Sequence, residues 1–243
     1  MPEVTLKVDL ISYTKDPEQV CATAIKQCYS KIGVSELKKK IDKKTRARLI
    51  EQVISSGHTS TIEHASFTFA IEGISRACSH QLDRHRIASY SQQSQRYVDF
   101  KAKGFDYVVP YSIKKNPRLL KKYYRDMDEI FNKYKTLIKQ GLSPEDARFI
   151  LPNACETKIV ITMNARSLLN FLKERLCNRA QWEIRMMACQ MLNLVKKIAP
   201  NIFKHAGATC QTEKICWQGN LSCDLWKKIQ NAELREKNKL VIK

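Results

Sequence analysis

Residues 84–97 read RHRIASYSQQSQRY and form the stretch of the chain that is densest in hydrogen-bonding side chains. The stretch holds three arginines, one histidine, three serines and three glutamines but no lysine, although the rest of the chain is lysine-rich. Arginine presents a planar, bidentate pair of donors that suits phosphate and carbonyl oxygens. The composition therefore predicts a segment that binds an anionic ligand, and the alternative is an exposed polar loop.

A second polar segment, GHTSTIEH at residues 57–64, contains two histidines and a glutamate that suggest a metal site. The zinc patterns H-E-x-x-H and H-x-x-E-H both fail here, because Ser60 stands three positions before Glu63. Ser60 and Glu63 have the spacing of a helix-capping box. We predict a cap with ligand contacts, and a metal-dependent hydrolase that uses His58, Glu63 and His64 is the alternative.

A third segment, NARSLLNFLKER at residues 164–175, is predicted to form an amphipathic helix. Helical spacing places Asn164, Ser167 and Asn170 on one side, with Arg175 less closely aligned. Leu168, Leu169 and Leu172 lie opposite. The polar side is either a binding face or plain solvent surface, and the segment alone does not decide between them.

Together these segments resemble the signature of the flavin-dependent thymidylate synthases. The match consists of Arg84-His85-Arg86, seven further residues and Ser94, followed by Arg96 and Tyr97. The segments at 57–64, 147–152 and 164–183 match in family order and approximate spacing. The resemblance covers about residues 4–205. We therefore predict a catalytic domain over 1–205 and a C-terminal extension of unknown role over 206–243.

The resemblance implies a flavoenzyme that methylates dUMP to dTMP. FAD would carry the electrons, NADPH would supply them, and methylenetetrahydrofolate would donate the carbon. The family also implies a homotetramer with shared active sites. No stable nucleic-acid partner and no membrane are expected.

The resemblance further implies roles for individual residues. Arg175 resembles the catalytic residue that activates the uracil ring. Cofactor contacts are implied for His58, Ser60, Glu63, Arg84, His85, Arg86, Gln92, Asn164, Ala165, Arg166, Asn170 and Arg179. Contacts with dUMP are implied for Gln81, Arg84, Gln92, Gln93, Ser94, Gln95, Arg96, Arg148 and Arg175.

Two positions depart from the family pattern. Gln92 stands where many relatives have glutamate, so a charge is lost at that contact. Arg179 stands where some relatives have histidine. Arg175 itself cannot act as a base, since the pKa of a guanidinium exceeds about 12. Its implied role is that of a fixed cation beside the uracil edge.

The mixture of strand and helix patterns predicts an α+β fold, a mixed sheet flanked by long helices. Alternating residues predict strands over 4–13, 65–71 and 157–163, and an extended piece over 107–110. Three- and four-residue apolar steps predict a long helix that covers 119–138 and ends at Gly141. Helices are also predicted over 74–86, from Ser143 with that serine as cap, and over 180–198.

The chain has 243 residues and carries 43 Lys+Arg against 24 Asp+Glu, a net charge of +19. Such an excess attracts polyanions, so a basic nucleic-acid-binding protein is the chief alternative to the enzyme. That alternative requires aromatic residues interleaved with the cations. Tyr90 and Tyr97 are the only aromatic residues in the arginine-rich stretch. No glycine-rich phosphate loop occurs, so side-chain cations would have to bind any phosphate.

The nine cysteines are an odd number and scattered, which argues against a disulfide framework. The N-terminal sequence lacks the layout of a signal peptide, and no apolar run approaches the length of a membrane span. We predict a soluble, cytoplasmic protein.

Ser94, Cys78 and Cys177 are the candidate nucleophiles in or near these segments. Ser94 has no partnered base in the sequence, so a dUMP contact is favoured over a nucleophile. Lone intracellular cysteines are mostly small buried apolar residues. In the tail, His205, Cys210, Cys216 and Cys223 suggest zinc, but their spacing is wider than that of the usual zinc sites. We predict unpaired thiols and no metal.

Overall fold

The computed structural model describes residues 3–98, 100 and 104–241, with side chains as far as residue 232. These residues divide into two compact units. The first unit comprises the residues up to Ile11 and Thr68–Thr162, and the second comprises Ser12–Phe67 and the residues from Met163 onward. The boundary predicted at residue 205 stays a prediction.

The four described strands belong to one sheet, in the order β1-β2-β4-β3. They are β1 Lys7–Tyr13, β2 Ser66–Ser75, β3 Ser89–Gln92 and β4 Glu156–Asn164. The short β3 pairs antiparallel with β4, with Ser89 opposite Thr162 and Gln92 opposite Ile159. Tyr107 adds a parallel bridge to Glu3 and an antiparallel bridge to Cys155.

Helices make up most of the remaining structure. They are α1 Pro17–Gln27, α2 Val34–Lys40, α3 Lys43–Ser55, α4 Arg76–Leu82, α5 Tyr111–Lys114, α6 Pro117–Lys139, α7 Pro144–Ala147, α8 Ala165–Arg175, α9 Trp182–Ile198, α10 Thr209–Thr212 and α11 Asp224–Val241. Three 3₁₀ turns cover Thr59–His64, Arg148–Ile150 and Gly219–Leu221. The predicted α+β class is confirmed. No helix within the described ranges is long and apolar enough to cross a bilayer.

Each unit has its own apolar core. In the first unit, Phe105, Tyr107 and Met127 are buried together, and the apolar stripe of α6 packs against them. In the second unit, the rings of Phe67 and Phe203 meet edge to face, with 5.5 Å between their centroids. The long helix α6 and the strands β1, β2 and β4 confirm the elements that the apolar periodicity predicts.

Two helix predictions are wrong in extent. The helix predicted over 74–86 ends at Leu82, because the hydroxyl of Tyr90 holds the backbone carbonyls of Leu82 and His85 in a turn, at 3.0 and 2.7 Å. The helix predicted from Ser143 is only the four-residue α7, and Ser143 occupies its cap position without a side-chain capping hydrogen bond. The hydroxyl of Ser143 donates instead to the Asp146 carboxylate at 3.2 Å.

Candidate active site

The start of α8 is fixed by a side-chain cap at Asn164. The Asn164 side-chain oxygen accepts the backbone N–H of Ser167 at 2.8 Å, which satisfies one of the helix's open donors. The backbone N–H of Ala165 donates to the Ala65 carbonyl at 2.8 Å. Both contacts orient the first turn of α8, which carries the predicted cofactor residues Asn164, Ala165 and Arg166.

Glu63 and Arg166 bring two of the predicted cofactor segments together. A guanidinium nitrogen of Arg166 lies 2.7 Å from a carboxylate oxygen of Glu63, 103 positions away in the sequence. Both side chains are exposed. The capping-box interpretation of Ser60 and Glu63 is wrong, because residue 58 occupies the cap position of the 3₁₀ turn and no side chain caps it. Glu63 is used for the ion pair instead.

A cavity of about 510 Å³ opens beside this ion pair, and we call it the Arg166 cavity. Its wall includes Arg166 and Asn170 of α8 together with Gly57 and Thr59. The volume falls within the range of about 300–1,000 Å³ that ligand pockets span. Arg166 and Asn170 offer donors to anionic and carbonyl groups of a ligand, and the carboxylates of Glu51 and Glu213 line the same cavity. His58, Ser60 and Asn164 lie in the neighbouring turns but do not line it.

The C-terminal end of α8 lines a second cavity, of about 290 Å³, which we call the Arg175 cavity. Arg175 and Arg179 both face it, so the predicted catalytic residue and a predicted cofactor residue share one wall. The side chain of Arg175 is 19% exposed, and one of its terminal nitrogens lies 3.9 Å from the Glu174 carboxylate. The apolar side of α8 holds this end in place, since Leu168 and Leu172 are fully buried.

In the first unit, two predicted phosphate-binding arginines meet at Glu145. The Arg96 guanidinium makes a two-point contact with the Glu145 carboxylate, at 2.8 and 3.0 Å. The Nε of Arg148 donates to the backbone carbonyl of Glu145 at 3.1 Å. Glu145 therefore orients both guanidinium groups, although they stand 52 positions apart in the sequence.

Glu145 is a member of this site that the sequence does not indicate. Its only local signal is its position three residues before Arg148, and nothing in the sequence connects it to Arg96.

The arginine-rich stretch begins in an exposed turn. The side chain of Arg84 is 80% exposed, with its Nε 3.9 Å from the Asp83 carboxylate, and Arg86 is exposed as well. Tyr90 holds the backbone of this turn, and burial raises the pKa of its hydroxyl to about 12. The Tyr90 hydroxyl therefore stays protonated at neutral pH and remains a donor to the carbonyl of His85.

The glutamines of the stretch are tied to neighbouring elements of the first unit. Gln92 donates to the Thr157 hydroxyl at 3.0 Å, and Gln95 contacts the Cys155 sulfur at 3.5 Å. The backbone N–H of Gln93 donates to the Lys158 carbonyl at 2.8 Å. The Gln81 side chain donates to the Ala77 carbonyl at 3.2 Å. Gln92 thus links β3 to β4 through its side-chain amide.

The side chains considered as nucleophiles or metal ligands have other surroundings. The Ser94 hydroxyl accepts the backbone N–H of Arg96 at 3.2 Å, and Cys78 is fully buried. Across the described residues, no group of three or more His, Cys, Asp or Glu side chains is arranged to hold a metal ion. His58 and His64 therefore belong to no such group.

Comparison with solved structures identifies the fold. The chain aligns with a UMP/dUMP methylase from Streptomyces cacaoi, solved with 5-Br dUMP, at a TM-score of 0.70 and 24% sequence identity. The alignment covers 82% of this chain and 93% of that one. The two chains therefore share a fold.

Sequence comparison then assigns the family. Residues 9–201 match the family described as "Thymidylate synthase complementing protein". A protein of Geobacter sulfurreducens named "Flavin-dependent thymidylate synthase" is 50% identical over 90% of this chain and 94% of its own length. A protein of the same name from Clostridium tetani is 46% identical over 90% of this chain and 93% of its own. The chain belongs to this family.

Proposed function

We propose that the protein is a flavin-dependent thymidylate synthase, an enzyme that converts dUMP to dTMP. The observation that carries the proposal is the 50% identity with the Geobacter protein across nearly the whole of both chains. Chains that similar over that length rarely differ in fold. The flavin is FAD, the reductant is NADPH, and the carbon donor is methylenetetrahydrofolate.

The residues around the Arg166 cavity would hold the flavin. Once bound and reduced by NADPH, the flavin would supply the hydride that the reductive methylation requires. Arg166 and Asn170 face the cavity, and Glu63 fixes the Arg166 guanidinium through their 2.7 Å contact. The further proposed contacts are those of His58, Ser60, Arg84, His85, Arg86, Gln92, Asn164, Ala165 and Arg179. The cationic members suit the negative charge that builds up on a reduced isoalloxazine.

The substrate dUMP brings a dianionic phosphate and a neutral pyrimidine ring. We assign the phosphate to Arg96 and Arg148, the two arginines that Glu145 orients. Gln81, Arg84, Gln92, Gln93, Ser94 and Gln95 complete the proposed substrate contacts. Arg175 stabilises the charge that develops on the uracil edge, because a guanidinium stays protonated and can act only as a cation and donor.

Replacing Arg96 with alanine is expected to raise the KM for dUMP by at least about tenfold, because a charge-assisted pair of hydrogen bonds to phosphate is lost. The kcat should change far less, since the phosphate is bound equally in the ground and transition states. Steady-state kinetics over a range of dUMP concentrations measures both values.

Two controls make the Arg96 result specific. Arg118→Ala removes an exposed arginine at the start of α6 and should leave the KM unchanged. Deoxyuridine, which lacks the phosphate, should inhibit the wild type and Arg96→Ala equally. An Arg96→Ala enzyme with the wild-type KM for dUMP would remove Arg96 from the phosphate site.

The proposal also covers the oligomeric state and the cellular location. We propose a homotetramer with shared active sites, in the cytoplasm. The exposed apolar side chains Ile87, Tyr97 and Phe149, at 74%, 80% and 85% exposure, support an assembly. The net charge of +19 supports a site that receives several anionic molecules, namely dUMP, NADPH and the folate.

Purified protein tests the proposed function directly. We expect it to show the absorbance of an oxidised flavin and to form dTMP from dUMP only when both NADPH and methylenetetrahydrofolate are present. Omitting either one is the control and should abolish product. Flavin-loaded protein that forms no dTMP in the complete mixture would contradict the proposal.

A further inference from the structure

The C-terminal segment after residue 205 lies against the end of α8 that carries Arg175. The Thr209 hydroxyl donates to the backbone carbonyl of Lys173 at 3.4 Å. The Lys173 ammonium group lies 2.5 Å from the Glu213 carboxylate. These contacts fasten the segment around α10 to the last turn of α8.

This arrangement makes the segment one wall of the Arg175 cavity. Arg175 and Arg179 contribute from α8 and the turn that follows it, whereas Cys210, Cys216 and Trp217 contribute from the C-terminal segment. The cavity therefore includes residues C-terminal to the stretch 9–201 that the family model matches.

The charge of the wall favours an anionic or electron-rich ligand. Lys173, Arg175 and Arg179 line the cavity together with Glu174, and because Lys173 is paired with Glu213, the two arginines supply the positive charge of the wall. The positive charge raises the local concentration of anions and strengthens their binding.

Trp217 adds a flat aromatic surface to these cations. Its side chain is 75% exposed, so the indole contributes little to the core of the second unit. A large exposed aromatic residue at the edge of a cavity is typical of a ligand contact. The cavity volume of about 290 Å³ is near the lower end of the range for ligand pockets and has room for a pyrimidine ring.

We propose that the C-terminal segment is part of the active site and that Trp217 stacks on the pyrimidine ring of the nucleotide that Arg175 binds. The proposal rests on the proposed function, from which it takes dUMP as the substrate. In this arrangement the indole holds the plane of the ring while the Arg175 guanidinium contacts its polar edge. Trp217 thereby acts as a positioning and specificity residue for the pyrimidine.

Binding of dUMP to the flavin-loaded enzyme, measured by calorimetry without NADPH or folate, tests the stacking. Trp217→Ala should weaken dUMP binding by at least about fivefold, the effect of losing one base–aromatic stack. Trp217→Phe keeps a flat ring and should restore most of the affinity. Leu221→Ala removes a 62% exposed apolar side chain of the same segment that does not line the cavity, and it should bind like the wild type.

The native thiols provide a second measurement that needs no variant. Cys177 and Cys216 are free, half-buried and on the cavity wall, whereas Cys189 is free, exposed and outside it. Saturating dUMP should slow the alkylation of Cys177 and Cys216 by N-ethylmaleimide, followed by peptide mass spectrometry. The alkylation rate of Cys189 should not change.

Several outcomes would overturn the proposal. Wild-type affinity for dUMP in Trp217→Ala is one, and equal alkylation rates at Cys216 with and without dUMP is another. A Trp217→Ala protein that changes its assembly mass in light scattering while Leu221→Ala does not would assign Trp217 to a contact between copies instead. If the wild type forms dTMP, each of these results contradicts only the proposed role of Trp217 and the C-terminal segment in binding dUMP. If it forms none, the proposed function itself fails.

Discussion

Arg175→Ala is expected to lower the kcat for dTMP formation by about 10²–10³-fold, the usual cost of removing one preorganised donor from a developing charge. Arg175 lies in the last turn of α8, is 19% exposed and faces the Arg175 cavity. A guanidinium held in that position needs no reorganisation when charge builds up on the uracil edge. The kcat and KM from steady-state assays of dTMP formation measure the effect.

The Arg175→Lys variant separates charge from geometry. Lysine keeps the positive charge but not the planar pair of donors, so activity should recover only in part. Arg48→Ala removes an exposed arginine of α3 and serves as the matched control, with wild-type kcat expected. The melting temperature should stay close to that of the wild type in all three variants, since none of them empties the core.

An Arg175→Ala enzyme that keeps its kcat within threefold of the wild type would contradict the uracil role. Loss of bound flavin in the same variant would give a different answer, because Arg175 would then act on the cofactor. The flavin absorbance of the purified variant distinguishes the two results before any assay is run.

Much of the fold could be predicted because its longest elements have regular apolar periods. The stripe of α6 and the amphipathic pattern of α8 are local, and both helices are present in the structure. Strand β3 could not be predicted, because Ser89–Gln92 contains no β-branched residue. It forms only because β4 offers a partner, and its pairing with β4 is a tertiary contact.

In the candidate site, too, local patterns could be predicted from the sequence and long-range contacts could not. The arginine-rich stretch and the polar face of α8 are visible as residue types at fixed spacing. The pairings Glu63–Arg166 and Glu145–Arg96 join residues 103 and 49 positions apart, and no local pattern connects them. The contribution of Trp217 was missed because a single tryptophan in a cysteine-containing tail has no recognisable motif.

Gly73→Ala is expected to be the most destabilising substitution in the first unit. Gly73 has φ +71°, a conformation that costs a non-glycine residue about 1–3 kcal/mol. A Cβ built on Gly73 would also lie 2.0 Å from the backbone oxygen of Thr5 and 2.5 Å from its carbonyl carbon. Since both neighbours are main-chain atoms, no side chain can rotate away to make room.

The backbone around Gly73 has a second constraint. Its N–H donates to the Glu156 carboxylate at 2.9 Å, and burial raises the pKa of that carboxyl above its ordinary value. A shift of Gly73 away from Thr5 would weaken this hydrogen bond and leave a buried carboxylate poorly satisfied. With overpacking at about 1–3 kcal/mol, we expect a total loss of about 2–6 kcal/mol.

Urea unfolding at a fixed protein concentration measures that loss, because dilution alone would alter the apparent stability of an assembly. Gly141→Ala is the matched control, since Gly141 has φ +92° in the same unit but open space where its Cβ would lie. It isolates the backbone strain, whereas Gly73→Ala adds the collision with Thr5. Equal losses in the two variants would mean that the strand and the N-terminal segment separate at little cost, so the close approach at Gly73 would not determine stability. A Gly73→Ala protein that unfolds at much lower urea than Gly141→Ala would show instead that this crossing requires glycine.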